Sequence, residues 1–169
     1  MADITELIFS RAGELVTIAG FEGITVGFAE SLTGGLISSS VVAIPGASAV
    51  FKGSVVSYTN EIKENVLGVP ADIISTHTEV SAECAKAMAE GAMSVLGVDL
   101  AISVTGIAGP TGELPGKPVG TVYMGYCFRD ISGSLRLNFE GDRDTIRTCT
   151  VMAALNQAVA LIKDGKFSG

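Results

Sequence analysis

The sequence predicts an α/β domain, a three-layer α/β/α sandwich built on a mixed, mostly parallel sheet, with residues 1–169 forming one domain. Three observations predict it. Short apolar runs at 24–28, 55–58 and 99–105 alternate with segments of helical periodicity, the pattern of a buried parallel sheet. Two later runs, "VGTVYMGYCF" and "SLRLNFE", follow one another with only "RDISG" between them, which makes them neighbouring strands and the sheet mixed. Apolar residues make up 47% of the chain and charged residues 17%, enough for a core and too little charge for a disordered chain.

Each element has its own signal. Residues 3–19 predict a helix: Leu7, Ile8, Ala12, Leu15 and Ala19 share a face, Asp3 with Glu6 resembles a capping box, and Gly20 and Gly23 end it. Ile24–Phe28 predicts a buried strand, Gly35–Val42 a helix stopped near Pro45-Gly46, and Val55–Tyr58 part of a second strand. "NEIKENVLGVP" predicts a short helix ended by Gly68 and Pro70, and 71–75 a proline-started helix. Ser81 caps a long helix that Gly97 closes. "DLAISVT" is a buried strand and 106–118 a long Gly/Pro loop. Asp142 or Asp144 caps a final helix whose mostly small or apolar face is Ile146, Thr150, Ala153, Gln157, Ala158 and Leu161. Loops 29–35, 58–63 and 105–118 each begin where a strand ends, and ligands of such sheets bind beyond those ends.

Charge and special residues narrow the functions. A net charge of −7 argues against a general grip on nucleic acid or anionic lipid. Glu, Lys, Asn or Gly interrupts every apolar run before it reaches membrane-spanning length, and the amphipathic N-terminus lacks the charged and apolar regions of a signal peptide. Cys84, Cys127 and Cys149 are odd in number and form no CxxC, as expected of reduced thiols in a cytoplasmic protein. The lone histidine, His77, would have to serve any His-based metal site or Ser-His-Asp triad, yet it sits in a polar connecting segment. No metal or cofactor is expected.

Chemistry concentrates in four stretches. In "AESLTGG", Ser31 stands where a strand turns into a helix, with the amides of Thr33, Gly34 and Gly35 in the helix's unsatisfied first turn. That is a hydroxyl nucleophile beside donors for developing negative charge; by pattern alone, helix capping by Ser31 or Thr33 is the simpler account. A serine needs a base. Lys63 in "VVSYTNEIK" supplies one if burial lowers its pKa, and Tyr58 could relay a proton; a solvated Lys and a half-buried Tyr are the ordinary alternative. Thr105 and Gly106 open "TGIAGPTG", which fits neither the P-loop nor G-x-G-x-x-G. Arg143 and Arg147 in "FEGDRDTIR" carry forked donors suited to phosphate, or form surface ion pairs.

Taken together and in order, "AESLTGG", "SYTNEIKENVLGV", "AISVTGIAGPTG…GKPVGTVY" and "FEGDRDTIR" resemble the C-terminal domain of the CinA family over nearly the whole chain. The resemblance implies a stand-alone nicotinamide-nucleotide amidohydrolase, converting nicotinamide mononucleotide (NMN) and water to nicotinate mononucleotide and ammonia in pyridine-nucleotide recycling. It implies Ser31 as nucleophile, Lys63 as base, Tyr58 as proton shuttle, and the Thr33–Gly35 amides as oxyanion donors. Glu30, Thr105 and Gly106 would lie with the substrate, and Arg143, Arg147 or Lys117 would meet its phosphate. Glu30 could pair with Lys63, which would oppose a base role. Two departures stand out: Leu32 replaces the family's usual Cys or Ala, and "SYTNEIK" replaces "TYSNEAK". The expected partner is the small-molecule substrate, without nucleic acid or membrane, in a homo-oligomer such as a dimer. The alternative is a catalytically silent nucleotide-binding or regulatory module.

Overall fold

The computed structural model describes residues 3–165. The elements run α1 (Ile4–Glu22), β1 (Val26–Glu30), α2 (Leu36–Val42), β2 (Phe51–Val56), α3 (Asn60–Asn65), α4 (Ala71–His77), α5 (Ala82–Leu96), β3 (Leu100–Gly106), β4 (Thr121–Phe128), β5 (Ile131–Asn138) and α6 (Arg143–Asp164), with a 3-10 turn at Ala47–Ala49. They form an α/β fold: one five-stranded mixed sheet of order β2-β1-β3-β4-β5, flanked by helices.

The expectation of a mostly parallel sheet needs correction. β1 pairs in parallel with β2 and β3, but β3–β4 and β4–β5 are antiparallel. A parallel neighbour needs a crossover, usually a helix. After β3 the chain forms only the loop 107–120, so β4 returns alongside β3 in the opposite sense.

Strand alternation divides the core. Val26, Phe28, Leu100, Ile102 and Val104 face Ala12, Leu15, Ile37, Ile146 and Leu155 of α1, α2 and α6. Ala29 and Ala101 face Cys84, Met88 and Ala92 of α5. Small residues bring α5 onto the sheet. Ser103 Oγ donates to Ala85 O at 2.5 Å and accepts from Gly125 N at 3.2 Å, joining helix backbone to two strands. A Cβ on Gly125 would stand 2.0 Å from Ala85 O. By length and composition α6 could cross a membrane; here it is a core helix, with Ile146, Val151, Leu155, Val159 and Ile162 buried.

Other boundaries shift for local reasons. α1 runs through Gly20 to Gly23, whose left-handed backbone (φ 67°) caps it, and Asp3 accepts from Thr5 N. Leu7 is exposed, not in the core face. β1 extends to Glu30, beyond the expected end at Phe28. "RDISG" contains a two-residue turn: Phe128 pairs with Ile131, and Ile131–Gly133 already belong to β5. α6's buried face includes Ala154 and Leu155 in place of Ala153 and Gln157, because the helix faces α1 as well as the sheet. His77 is the last residue of α4, not part of a loop, and lies 3.7 Å from Glu83.

Because α5 backbone leaves no room for a methyl group, Gly125→Ala is expected to destabilise the fold by about 2 kcal/mol, within the usual range for overpacking. Denaturant unfolding checks this, with an unchanged m-value expected.

Candidate functional site

The parallel pairing of β1, β2 and β3 sends their carboxyl ends to one edge of the sheet. The loops that follow therefore converge, as the sequence led us to expect. They enclose a cavity of about 420 Å³, within the usual size of small-ligand sites, whose walls include Ser31, Tyr58, Lys63, Thr105, Gly106 and Arg143.

Lys63 is placed by α3. Thr59 caps that helix by accepting from Ile62 N, and Lys63, in its last turn, points inward and is only 1% exposed. Its Nζ lies 3.1 Å from Ser31 Oγ, 2.7 Å from Ser57 O and, more loosely, 3.5 Å from Tyr58 O. Among the described residues it has no carboxylate partner. Burial pushes its pKa below the ordinary lysine value, opposed in part by Cys84 and by the carboxylate of Glu79 on the same cavity wall. Cys84 would oppose it only as a thiolate, and burial raises that thiol to about 11, so it is neutral near pH 7. A neutral amine has two N–H groups and one lone pair. Donation to the two carbonyls leaves the lone pair for the Ser31 hydroxyl hydrogen.

Ser31 is held just as tightly. The preceding residue, Glu30, ends β1 with no exposure at all. Its carboxylate accepts from the amides of Gly35 (3.1 Å), Ile37 (3.0 Å) and Ser38 (2.9 Å) and from the hydroxyls of Thr33 (2.7 Å) and Ser38 (2.5 Å). It thus satisfies the orphan donors at the start of α2. Reaching them requires a tight reversal, which Gly34 (φ 58°) and Gly35 (φ 101°) provide in left-handed conformations unfavourable to other residues. Ser31 sits at the head of that reversal, with its N–H donating to Val104 O.

These contacts correct several expectations. Glu30 faces α2; it neither lines the cavity nor pairs with Lys63. The amides of Gly34 and Gly35 are engaged by Ser31 O and Glu30, so they are not available as oxyanion donors. Arg147 donates to Leu32 O (2.9 Å) and Thr33 O (3.2 Å), clamping the Ser31 turn from outside the cavity. Lys117 donates to His77 O and Thr78 Oγ1, joining the Gly/Pro loop to α4. Tyr58 is 60% exposed, and its hydroxyl accepts from Arg143 at 3.3 Å. Its main-chain oxygen, not the phenol, is the group that faces Lys63.

The remaining expected residues meet at the cavity. Arg143, the first residue of α6, donates to Gly109 O at 2.8 Å and bridges the Gly/Pro loop to Tyr58 across the mouth. Thr105 Oγ1 donates to Glu79 O at 2.7 Å, fixing the end of β3 to the segment before α5. Sequence reasoning missed Glu79, Asn60 and Thr111 in the wall. Glu79 lies in a short polar connection whose composition carries no signal of a pocket. Only the proximity of that connection to β3, a tertiary fact, reveals it.

The chain is similar to known proteins in sequence and in fold. The family described as "CinA C-terminal domain" matches residues 10–162. A CinA-like protein of Citrifermentans bemidjiense is 50% identical over 134 residues, 79% of this chain and 32% of the relative. One from Thermotoga maritima is 47% identical over 139 residues, 82% of this chain and 34% of the relative. The chain thus spans about a third of the length of the curated relatives it matches. Among solved structures, the competence/damage inducible protein CihA of Agrobacterium tumefaciens superposes with a TM-score of 0.89 at 37% identity, covering 91% of this chain and 94% of that one. A CinA superfamily protein of Klebsiella pneumoniae superposes with a TM-score of 0.90 at 29% identity, covering 93% and 98%.

Removing the Glu30 carboxylate strands several buried donors at once. Glu30→Ala is expected to cost about 3 kcal/mol and Glu30→Gln less, since the amide keeps one acceptor oxygen. Chemical denaturation of the two variants beside the parent measures both.

Proposed function

The chain belongs to the CinA C-terminal domain family, and on that premise we propose that it hydrolyses the carboxamide of nicotinamide mononucleotide to nicotinate mononucleotide and ammonia. The observation that carries the proposal is the buried Lys63 amine beside Ser31 Oγ, in no ion pair among the described residues, with burial outweighing the through-space charge of Glu79. A neutral lysine in contact with a serine hydroxyl is a general base beside its nucleophile.

The reaction then runs in two balanced halves. Ser31 Oγ attacks the carboxamide carbon as Lys63 Nζ takes the hydroxyl proton, and the carbonyl oxygen becomes an oxyanion. Leu32, next after the nucleophile and on the cavity wall, would offer its main-chain amide to that charge. The intermediate collapses by breaking the carbon–nitrogen bond. Lys63 returns the proton to the leaving nitrogen, ammonia departs, and an ester on Ser31 remains. Water attacks that ester while Lys63 again accepts a proton; the carbon–oxygen bond to Ser31 breaks, and the proton returns to Oγ. The carboxylic acid so formed gives its proton to solvent, and nicotinate mononucleotide leaves as its carboxylate. In this scheme Lys63 carries both proton transfers, and Tyr58 on the cavity wall is bridged by Arg143. Arg143 uses one nitrogen on Gly109 and another on Tyr58, and its remaining N–H donors suit a phosphate at the mouth.

Ammonia release from NMN, with product identification, tests the reaction. Ser31→Ala and Lys63→Ala are each expected to lower kcat by about 10³-fold or more, and the double variant little further, because the two groups act as a unit. Near-full activity in either folded variant contradicts the mechanism. A higher melting temperature with NMN but no turnover by the parent would instead fit a silent nucleotide-binding module.

The pH dependence follows from the direction of the Lys63 shift. The base must be unprotonated, and burial lowers the pH at which it becomes so. Activity is expected to rise with pH through a single ionisation below the ordinary lysine range and then level off. A kcat–pH profile checks this, and a rise delayed to the ordinary lysine range contradicts it.

A further inference from the structure

We propose that Glu79 is the counter-charge for a cationic ring in the ligand, and so makes the site selective for a positively charged pyridinium over a neutral ring of the same shape. Glu79 lies on the wall of the cavity with Ser31, Lys63 and Thr105. Its main chain is fixed there by the Thr105 hydroxyl, so the residue is held at the site and does not drift on a free loop. It is half-buried, and among the described residues no hydrogen bond or ion pair holds its carboxylate, whose charge acts only through space on Lys63 and Cys84. Partial burial of an unpaired carboxylate carries a desolvation cost that a bound cation would offset.

Lys63 feels the Glu79 charge through space but forms no ion pair with it. It points its nitrogen at Ser31 and the two carbonyls, and its role requires the neutral form. The next cation, Arg143, is engaged at the mouth with Gly109 and Tyr58. The cavity therefore carries an acid at Glu79 and a cation at Arg143 on its walls. A ligand with a cationic ring beside the reacting group and an anionic group at its other end matches that polarity. This rests on the proposed substrate, whose ring carries a permanent positive charge, and it names a determinant that the reaction chemistry does not require. Glu79 touches neither bond that breaks; it acts on which ring is accepted.

The test uses binding, so it does not depend on turnover. In the Ser31→Ala chain, calorimetry compares NMN with its reduced dihydropyridine form, which has the same phosphate and carboxamide but an uncharged ring. With Glu79 present the oxidised form is expected to bind about tenfold tighter, between the weak coupling of exposed ion pairs and the larger coupling of desolvated ones. Adding Glu79→Gln should bring the two forms to near parity by weakening the oxidised form alone, and Glu79→Asp should restore part of the preference. An unchanged preference in Glu79→Gln, or equal weakening of both forms, overturns the proposal. Binding of neither form overturns it together with the substrate reading. The expected preference in a parent chain that releases no ammonia would overturn the amidase reading alone.

Discussion

The buried contact between the Lys63 amine and the Ser31 hydroxyl is the constraint on which the rest of the site depends. A lysine withdrawn from water and tied to no carboxylate gives up its proton more readily than an exposed one, even with the Glu79 charge on the same cavity wall opposing this in part, and its lone pair then has one hydroxyl within reach. Everything around the pair keeps that arrangement fixed. Ser57 and Tyr58 offer carbonyls and not carboxylates, so these contacts orient the amine without an ion pair. The acid nearest in sequence to Ser31 is turned away, with its oxygens filled by the donors at the start of α2.

Glu30 and the glycine pair thus have a structural task with a chemical result. The carboxylate closes the turn from the strand side, and Arg147 closes it from α6 through the Leu32 and Thr33 carbonyls. Ser31 lies between these two clamps, so its hydroxyl is positioned by backbone held at both ends. Such preorganisation lets a weak nucleophile and a moderate base work together without a large ordering cost at the moment of reaction. It also explains why a hydroxyl, a glutamate and two glycines occur together where β1 meets α2.

Much of this was legible in the sequence, and the gaps have physical causes. Alternating apolar runs and helical periods located the strands and helices, and Ser81, Gly97 and Asp142 marked helix ends as observed. Convergence of the three loops followed from strands ending where those loops begin. What pattern could not supply was direction. Arg147 has the right chemistry for phosphate, but its place one turn into α6 aims it at the Ser31 turn. Tyr58 has the right chemistry for a relay, but its backbone faces Lys63 while its ring faces outward. Glu79 gave no signal because its place in the cavity depends on how the segment before α5 meets β3. The number of antiparallel pairs was similarly hidden, since it is the missing crossover after β3 that reverses β4.

The charge state of the Lys63 amine can be read directly. Nuclear magnetic resonance of the side-chain nitrogen in uniformly labelled protein, followed across pH and assigned with Lys63→Arg, reports its ionisation apart from every other lysine. The account predicts that this nitrogen loses its proton at a distinctly lower pH than the surface lysines, and that Ser31→Ala leaves it depressed because burial is the cause. If Lys63 titrates together with the exposed lysines, the amine is charged where the chemistry needs a lone pair, and the account fails.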